Sequence, residues 1–388
     1  MILHLLYPVL PPVVDGIGDY TCRLAMTLAD RVGVTIWTDR GEYAPIEGVT
    51  VKPAYAIDRP RHFRSLAPTV LAAPPDWLVI QYNPFSYGRR GYNPTLPAVV
   101  RQIRRAAPGV RVGLMVHEPY VPFSDWRSLI LGSWHRWQLN ALMAVSDVVF
   151  FSISPWAEAF RARHPHKRIE HLPVGSNIPN IYAPRDIARQ ALGIEDDVLV
   201  AGVFGSAHPS RLIGYVKQAI EALAARRRIH VLSIGTAGER LRRELDASVP
   251  IRDTGVLPAS AVSAHFAAMD VYLTPFRKGV STRRGSFMVG LQHGIATVST
   301  HGEHTDVLLN EQAGRAFLLT SETDARAYVD GTVALADDPE RRRQMAVAGQ
   351  IFFDRHLAWE RIASRFLDVL QEEAPRPVSP RILSETAL

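Results

Sequence analysis

The chain opens on Ile2-Leu3-His4-Leu5-Leu6, turns through Asp15-Gly16-Ile17-Gly18-Asp19, runs amphipathic to Ala29 and closes on Val34-Thr35-Ile36-Trp37. A short apolar run, a glycine turn, a helical period and a second apolar run make one strand, helix, strand unit. The beat then recurs. Strands are readable at Trp77 to Gln81, Val112 to Val116 and Val148 to Phe151, with helical patterns at Pro97 to Arg105, Leu129 to Val145 and Pro155 to Arg163. Such alternation predicts an α/β fold, a parallel sheet wrapped by helices.

The periodicity breaks at Leu172-Pro173-Val174-Gly175-Ser176-Asn177-Ile178-Pro179 and stays broken to about Pro184, which reads as a linker. A second cycle follows, with strand Val198 to Phe204, a Gly-Ser-His-Pro loop and a helix from about Arg211. Further strands are expected at Ile229 to Ile234, Ile251 to Asp253, Val271 to Thr274 and Thr297 to Ser299, and helices at Ser321 to Ala336 and Pro339 to Gly349. A last amphipathic helix, Ala358 to Glu372, precedes a Pro-rich remainder, 374–388, expected to be a mobile tail. The division is therefore 1–178 and 179–356, and the cleft between two such halves is where strand ends and helix amino termini converge on a ligand.

Composition agrees with that plan. At 388 residues the chain has room for two cores, and 47% hydrophobic with 21% charged residues is ordinary for a globular protein. The single cysteine, Cys22, excludes an intrachain disulfide and a cysteine-based zinc site, and fits a reducing cytosol. The apolar start lacks a basic region before it and reads as a buried strand, not a signal peptide. No run approaches the length of a membrane-spanning helix. The net charge of +6 favours anionic ligands or an acidic membrane surface, and is too dispersed to imply nucleic acid. Arg226-Arg227-Arg228 and Arg341-Arg342-Arg343 fall at helix ends or on polar faces and read as solvated surface.

Four constellations carry chemistry. The Gly16-Ile17-Gly18 loop allows close backbone approach and can point amides at an anion; it reads equally as a tight turn with Asp19 capping the helix. His117-Glu118 ends a strand, where an imidazole can donate to a sugar hydroxyl and a carboxylate can accept from one. The loop Gly205-Ser206-Ala207-His208-Pro209-Ser210-Arg211 combines small residues with one cation at the opening of a helix, which suits a diphosphate. The richest stretch is Thr274-Pro275-Phe276-Arg277-Lys278-Gly279-Val280-Ser281-Thr282-Arg283-Arg284-Gly285-Ser286-Phe287, with four cations and two glycines between a strand end and a helix amino terminus. Gly279, Ser281, Gly285 and Ser286 would line such an anion cradle. Arg283 or Arg284 would clamp a phosphate bidentately, with Lys278 a point charge at the rim. There is no G-x-S-x-G, H-E-x-x-H or P-loop pattern.

In their order and spacing these residues resemble the retaining GT-B glycosyltransferases of family four. The likeness runs from Gly16-Ile17-Gly18 through His117, the Pro-Val-Gly-Ser-Asn linker, Gly205 to Arg211, and Asp270 to Pro275 with its long loop, to Gly294. Trp359 is similar to the tryptophan that begins the helix, here 357–373, which crosses back to the first domain. The resemblance implies two Rossmann-like domains facing a central cleft and retaining transfer of a hexose from a nucleoside-diphosphate sugar to an acceptor hydroxyl. The first glycine loop would approach the diphosphate, His117 would touch the transferred sugar and Arg211 would hold phosphate. Two departures stand out. Gly205 occupies the place of a family arginine, and Ser281 and Val289 occupy the places of two family glutamates, one near the sugar and one on the ribose. Arg283 and Arg284 are expected to replace the missing arginine.

No cofactor or metal is expected: no Asp-x-Asp ends a strand, and Asp196-Asp197 reads as a polar turn. Rival readings on the same fold are a phosphorylase or pseudo-glycosyltransferase, and a non-catalytic sugar-nucleotide binder or partner subunit. The acceptor is open among small molecules, glycans and lipid-linked sugars, and so is the oligomeric state. Tyr82-Asn83-Pro84-Phe85 and Tyr120 would line the first-domain side of the cleft or pack in the core. Trp126, Arg127 and Trp134 to Trp137 suggest at most a peripheral contact with the inner membrane face of a cytoplasmic protein.

Overall fold

The computed structural model describes residues 1–372 apart from 58, 59, 122, 124, 125 and 182; the expected tail, 374–388, lies outside the described residues. The first domain holds β1 (Ile2–Leu6), α1 (Gly16–Ala29), β2 (Gly33–Asp39), β3 (Val49–Tyr55), α2 (Leu66–Leu71), β4 (Trp77–Tyr82), α3 (Thr95–Ala106), β5 (Arg111–Val116), α4 (Trp126–Val145), β6 (Val148–Phe151), α5 (Ser154–Arg163) and β7 (Arg168–His171). The second runs through α6 (Arg185–Leu192), β8 (Leu199–Phe204), α7 (Ile213–Ala224), β9 (Ile229–Ile234), α8 (Gly238–Glu244), β10 (Ile251–Asp253), α9 (Ala259–Phe266), β11 (Val271–Leu273), α10 (Gly285–Gln292), β12 (Ala296–His301), α11 (Val307–Asn310) and β13 (Leu318–Ser321). It ends in α12 (Ala325–Asp337) and α13 (Pro339–His356), and α14 (Trp359–Glu372) follows.

Both sheets are parallel throughout. The first has seven strands in the order β3-β2-β1-β4-β5-β6-β7, the second six in the order β10-β9-β8-β11-β12-β13. The order reverses beside β1 and beside β8, so the loops after those strands open onto a crevice at the carboxyl edge of each sheet. Helices cover both faces, which is why β4 is buried at every position and why its sequence, WLVIQY, is nearly all apolar. The exception, Gln81, has its Oε1 engaged by the ring of His117, 2.9 Å away.

Several elements differ from their sequence reading, each for a local reason. The edge strands β3 and β7 carry Lys52, Pro53, Arg168 and Glu170, so they lack the apolar run by which a central strand announces itself. Residues from Ser321, expected to open a helix, instead end β13. The helix starts at Ala325, where the Asp324 carboxylate accepts from the Ala327 amide at 2.9 Å. Gly349 does not end α13; it lets the helix pass the Ala316 carbonyl, which a Cβ there would approach to 2.8 Å. Arg211 is not in a helix: it forms an isolated antiparallel bridge with Phe276, and α7 begins two residues later.

The final helix returns to the first domain. Ile362, Ala363, Phe366, Leu367, Val369 and Leu370 of α14 share a core with β1, β2 and α1, and Phe366 lies 5.2 Å from the Phe150 ring of β6. Phe366→Ala would remove a fully buried ring from this seam and leave a cavity. It should cost about 3 to 5 kcal/mol and lower the midpoint of the urea transition, as measured by circular dichroism.

Candidate functional site

The central cleft is lined from the first domain by Gly16, Ile17, Asp19, Tyr20, Asn83, His117 and Glu118, and from the second by Phe204, Gly205, Arg283, Arg284, Gly285, Ser286 and Val289. Its volume is about 470 Å³, and Val174, Asn177 and Ile178 of the linker also line it.

One short segment fixes the cationic wall. Thr282 lies between the domains and is bonded through every polar atom it has. Its amide donates to Asp306 Oδ2 at 2.6 Å, and its carbonyl accepts from the Val174 amide at 2.8 Å. Its hydroxyl donates to the Ser152 carbonyl at 2.8 Å and accepts from His171 Nε2 at 2.8 Å. Asp306 also accepts from the Ser154 amide at 2.6 Å through Oδ1, at the first turn of α5. Burial pushes the Asp306 carboxyl upward, opposed by those amide bonds, and pushes the His171 imidazole down to about 3. A neutral His171 has its Nε2 proton available for Thr282.

Arg283 and Arg284 follow Thr282 into the cleft. The Arg283 guanidinium lies over the Trp156 ring at 4.9 Å and pairs with Glu118 of the opposite domain. Arg284 and Arg211 lie 4.7 and 5.0 Å from the centre of one ring, Phe276. Arg211 Nη2 donates to Ser286 Oγ at 2.9 Å, which ties the loop after β8 to the first turn of α10. Burial, then Arg283 and Arg211, bring Arg284 down to about 9. Three guanidiniums thus converge on one cleft, and neither Arg211 nor Arg284 has an ion-pair partner among the described residues. Helix α10 opens beside them with no side-chain cap on its amides.

Opposite stands His117. Its ring meets Tyr20 edge-on at 4.8 Å, and Tyr20 in turn touches Trp359, whose Nε1 donates to the Ser176 carbonyl at 2.7 Å. Burial, then Arg283, lower His117 to about 3, so the ring is neutral. Glu118 also accepts from Asn83 Nδ2 at 3.4 Å.

The sequence-derived candidates divide cleanly. Gly16, His117, Gly205, Arg283, Arg284, Gly285 and Ser286 line the cleft, and Arg211 braces its wall. Gly279, Ser281 and Ser206 are not among its lining residues. Lys278 and Gly279 turn the chain with φ of 67° and 82°, and the Val280 amide donates to the Thr300 carbonyl. That turn sends Gly279 against Gly302 and Thr305 and buries Ser281. Lys278 is held outside by Glu303. Two amides of the first glycine loop are not free for an anion: Asp15, and not Asp19, caps α1, accepting from Ile17 and Gly18 at 3.0 and 2.7 Å. Of the aromatic segment Asn83 alone lines the cleft; Tyr82 is buried, and Tyr120 packs under Arg136. Sequence reading missed Thr282, Asp306, His171 and Trp156, because their partners are remote in the chain. Among the described residues no group of three or more His, Cys, Asp or Glu converges to hold a metal ion.

Sucrose-phosphate synthase from Thermosynechococcus elongatus superposes with a TM-score of 0.72 over 96% of this chain and 98% of that one, at 16% identity. Anabaena HepE in complex with UDP and glucose gives 0.69 over 96% and 100%, at 15% identity. The fold is GT-B. No protein-family model matches the chain. A curated relative, the GDP-mannose-dependent monoacylated α-(1-6)-phosphatidylinositol monomannoside mannosyltransferase of Corynebacterium glutamicum, is 27% identical over 229 residues. That alignment covers 54% of this chain and 57% of the relative, so the match spans little more than half of either.

In this GT-B cleft Gly205 has no room for a side chain. Its φ is +115°, and a Cβ there would lie 2.6 Å from Arg211 Nη2. Gly205→Ala should therefore strain the loop and displace the guanidinium. The expected outcome is weakened binding of nucleoside diphosphates, about tenfold or more by isothermal titration, with the far-ultraviolet circular dichroism unchanged.

Proposed function

We propose that the protein is a glycosyltransferase that moves a hexose from a nucleoside-diphosphate sugar to an acceptor hydroxyl, with retention at the anomeric carbon. The observation that carries this reading is that Arg283, Arg284 and the uncapped start of α10 line one cleft, with Arg211 braced against its wall through Ser286, facing a neutral His117. Residues 1–178 with 357–373 form the acceptor side, and 179–356 the donor side.

The anomeric C–O bond to the diphosphate breaks and its electron pair leaves with the diphosphate. The fixed guanidiniums and helix amides stabilise that charge without reorganising. The acceptor oxygen bonds to the anomeric carbon, and its proton passes to the departing phosphate oxygen. His117, braced by Tyr20 and by its Nε2 proton on Gln81 Oε1, accepts from a sugar hydroxyl at Nδ1, which has no protein partner among the described residues. The mannosyltransferase relative and the UDP complex support a nucleotide-sugar donor. Arg283→Ala and Arg284→Ala should each reduce kcat/KM for the donor by about tenfold or more, since each removes a charge-assisted contact. The donor is first identified by thermal shift across uridine, guanosine and adenosine diphosphate sugars. Wild-type kinetics in both variants would rule out this reading.

A lipid-borne acceptor at an anionic bilayer is the acceptor we favour. Phe85, Tyr92, Phe123, Trp126, Leu129, Ile130 and Trp137 are all exposed large apolar side chains. Trp134 stacks on Trp137 at 4.7 Å and meets the tilted ring of Tyr92 at 4.3 Å, so the amino-terminal half of α4 and the loop after β4 make one aromatic surface. That loop begins at Asn83, on the cleft wall. Residues 77–146 hold eight arginines against Glu118 and Asp125, a net +6 equal to that of the entire chain. Aromatic rings beside basic side chains suit the headgroup region of an acidic membrane, although no helix among the described residues is long and apolar enough to cross one. The protein should co-sediment with phosphatidylglycerol vesicles at low salt and not with phosphatidylcholine vesicles. Trp126→Ser with Ile130→Ser should abolish this while leaving the nucleoside-diphosphate thermal shift intact; binding that survives the double substitution contradicts the assignment.

A further inference from the structure

Glu118 stands where a bridge between the domains is a burden unless it can open. Its carboxylate, reaching from the carboxyl end of β5, pairs with Arg283 across the cleft and so occupies a cation that faces the donor site. The pair is unequal: the Arg283 side chain is 15% exposed and fixed by the Thr282 anchor and the Trp156 ring, whereas Glu118 is 44% exposed. The arginine Nε is buried with no partner, so even with Glu118 in place the guanidinium is only partly satisfied. A diphosphate brings more negative charge and more acceptor oxygens than one carboxylate, and Arg211 and Arg284 add to its attraction.

We infer that Glu118 is an exchangeable counter-ion: the donor diphosphate replaces it on Arg283, and the released carboxylate, held by Asn83, accepts from the attacking hydroxyl. The inference rests on the donor assignment above and adds an order to it, donor before acceptor. Without donor, Glu118 is engaged by Arg283 and the acceptor hydroxyl lacks its hydrogen-bond partner. With donor bound, Glu118, Asn83 and His117 form one polar wall on the first domain, opposite the anomeric carbon. Glu118 orients the hydroxyl by accepting its hydrogen bond before the reaction; as the anomeric C–O bond breaks, that one proton turns from Glu118 to the departing diphosphate oxygen, where it ends. With water as acceptor the balance is the same: its oxygen bonds to the anomeric carbon, the diphosphate leaves with the electron pair, and one proton goes to the diphosphate.

The roles are separable because exchange and orientation move binding and turnover in opposite senses. The nucleoside diphosphate found by thermal shift is titrated into wild type, Glu118→Gln and Glu118→Asp, and slow hydrolysis of the corresponding nucleotide sugar is measured in each. Removal of a competing, partly exposed carboxylate should tighten diphosphate binding by about two- to fivefold. Hydrolysis by Glu118→Gln should show a lower KM together with a kcat reduced about tenfold, and Glu118→Asp should recover part of that kcat. Weaker diphosphate binding in Glu118→Gln would mean that Glu118 buttresses Arg283, and would overturn the inference; so would an unchanged kcat. Absence of nucleoside-diphosphate binding to the wild type would instead remove the donor assignment, and this inference with it. Melting temperatures of both variants within a few degrees of wild type show that the comparison is between folded proteins.

Discussion

Thr282 is the residue through which the two domains become one site. Its amide, carbonyl and hydroxyl are all engaged, and their partners Asp306, Val174, Ser152 and His171 lie on both sides of the cleft. Because those bonds are buried, each unmade one would leave a desolvated polar group. The loop therefore has little freedom at that point, and the two residues after it inherit its position. Arg283 and Arg284 owe their place in the cleft to a neutral residue that is not itself among the cleft's lining residues.

The cations are costly where they stand. Arg284 is depressed to about 9 by burial and by its two arginine neighbours, and the Nε atoms of both Arg283 and Arg284 are buried without partners. A chain does not hold three guanidiniums together for stability alone. Phe276 and Trp156 offset part of the repulsion by offering ring faces, and Glu118 offsets another part as a carboxylate. What remains is an unfilled demand for negative charge, concentrated at the start of α10. On the other wall, burial makes His117 neutral and Tyr20 and Gln81 hold its ring, so the cleft is cationic on one side and carries a neutral imidazole and the carboxylates Asp19 and Glu118 on the other. That asymmetry is what a reaction needs when charge develops on the leaving group and not on the acceptor.

The sequence announces central strands because helices bury both faces of them, as in β1, β4 and β9, and it hides the edges, where Lys52, Pro53, Arg168 and Glu170 break the apolar run. His117, Gly205, Arg283, Arg284, Gly285 and Ser286 were legible because each sits at a strand end or helix start, where local pattern dictates direction. Gly279 and Ser281 were misread because two successive positive φ angles, at Lys278 and Gly279, turn them away from the cleft. The Thr282 anchor left no local sign at all: its partners are separated from it by 24 to 130 residues, and a threonine between small and basic residues looks like any loop position. The Glu118 to Arg283 pair spans 165 residues and was equally silent.

The most direct test of this account is a crystal structure of the protein with a bound nucleoside diphosphate. The account predicts the two phosphates at the start of α10, in contact with Arg211, Arg283 and Arg284, with Thr282 still bonded to Asp306 and His171. A diphosphate bound away from those three guanidiniums, or a Thr282 segment rearranged on binding, would contradict it.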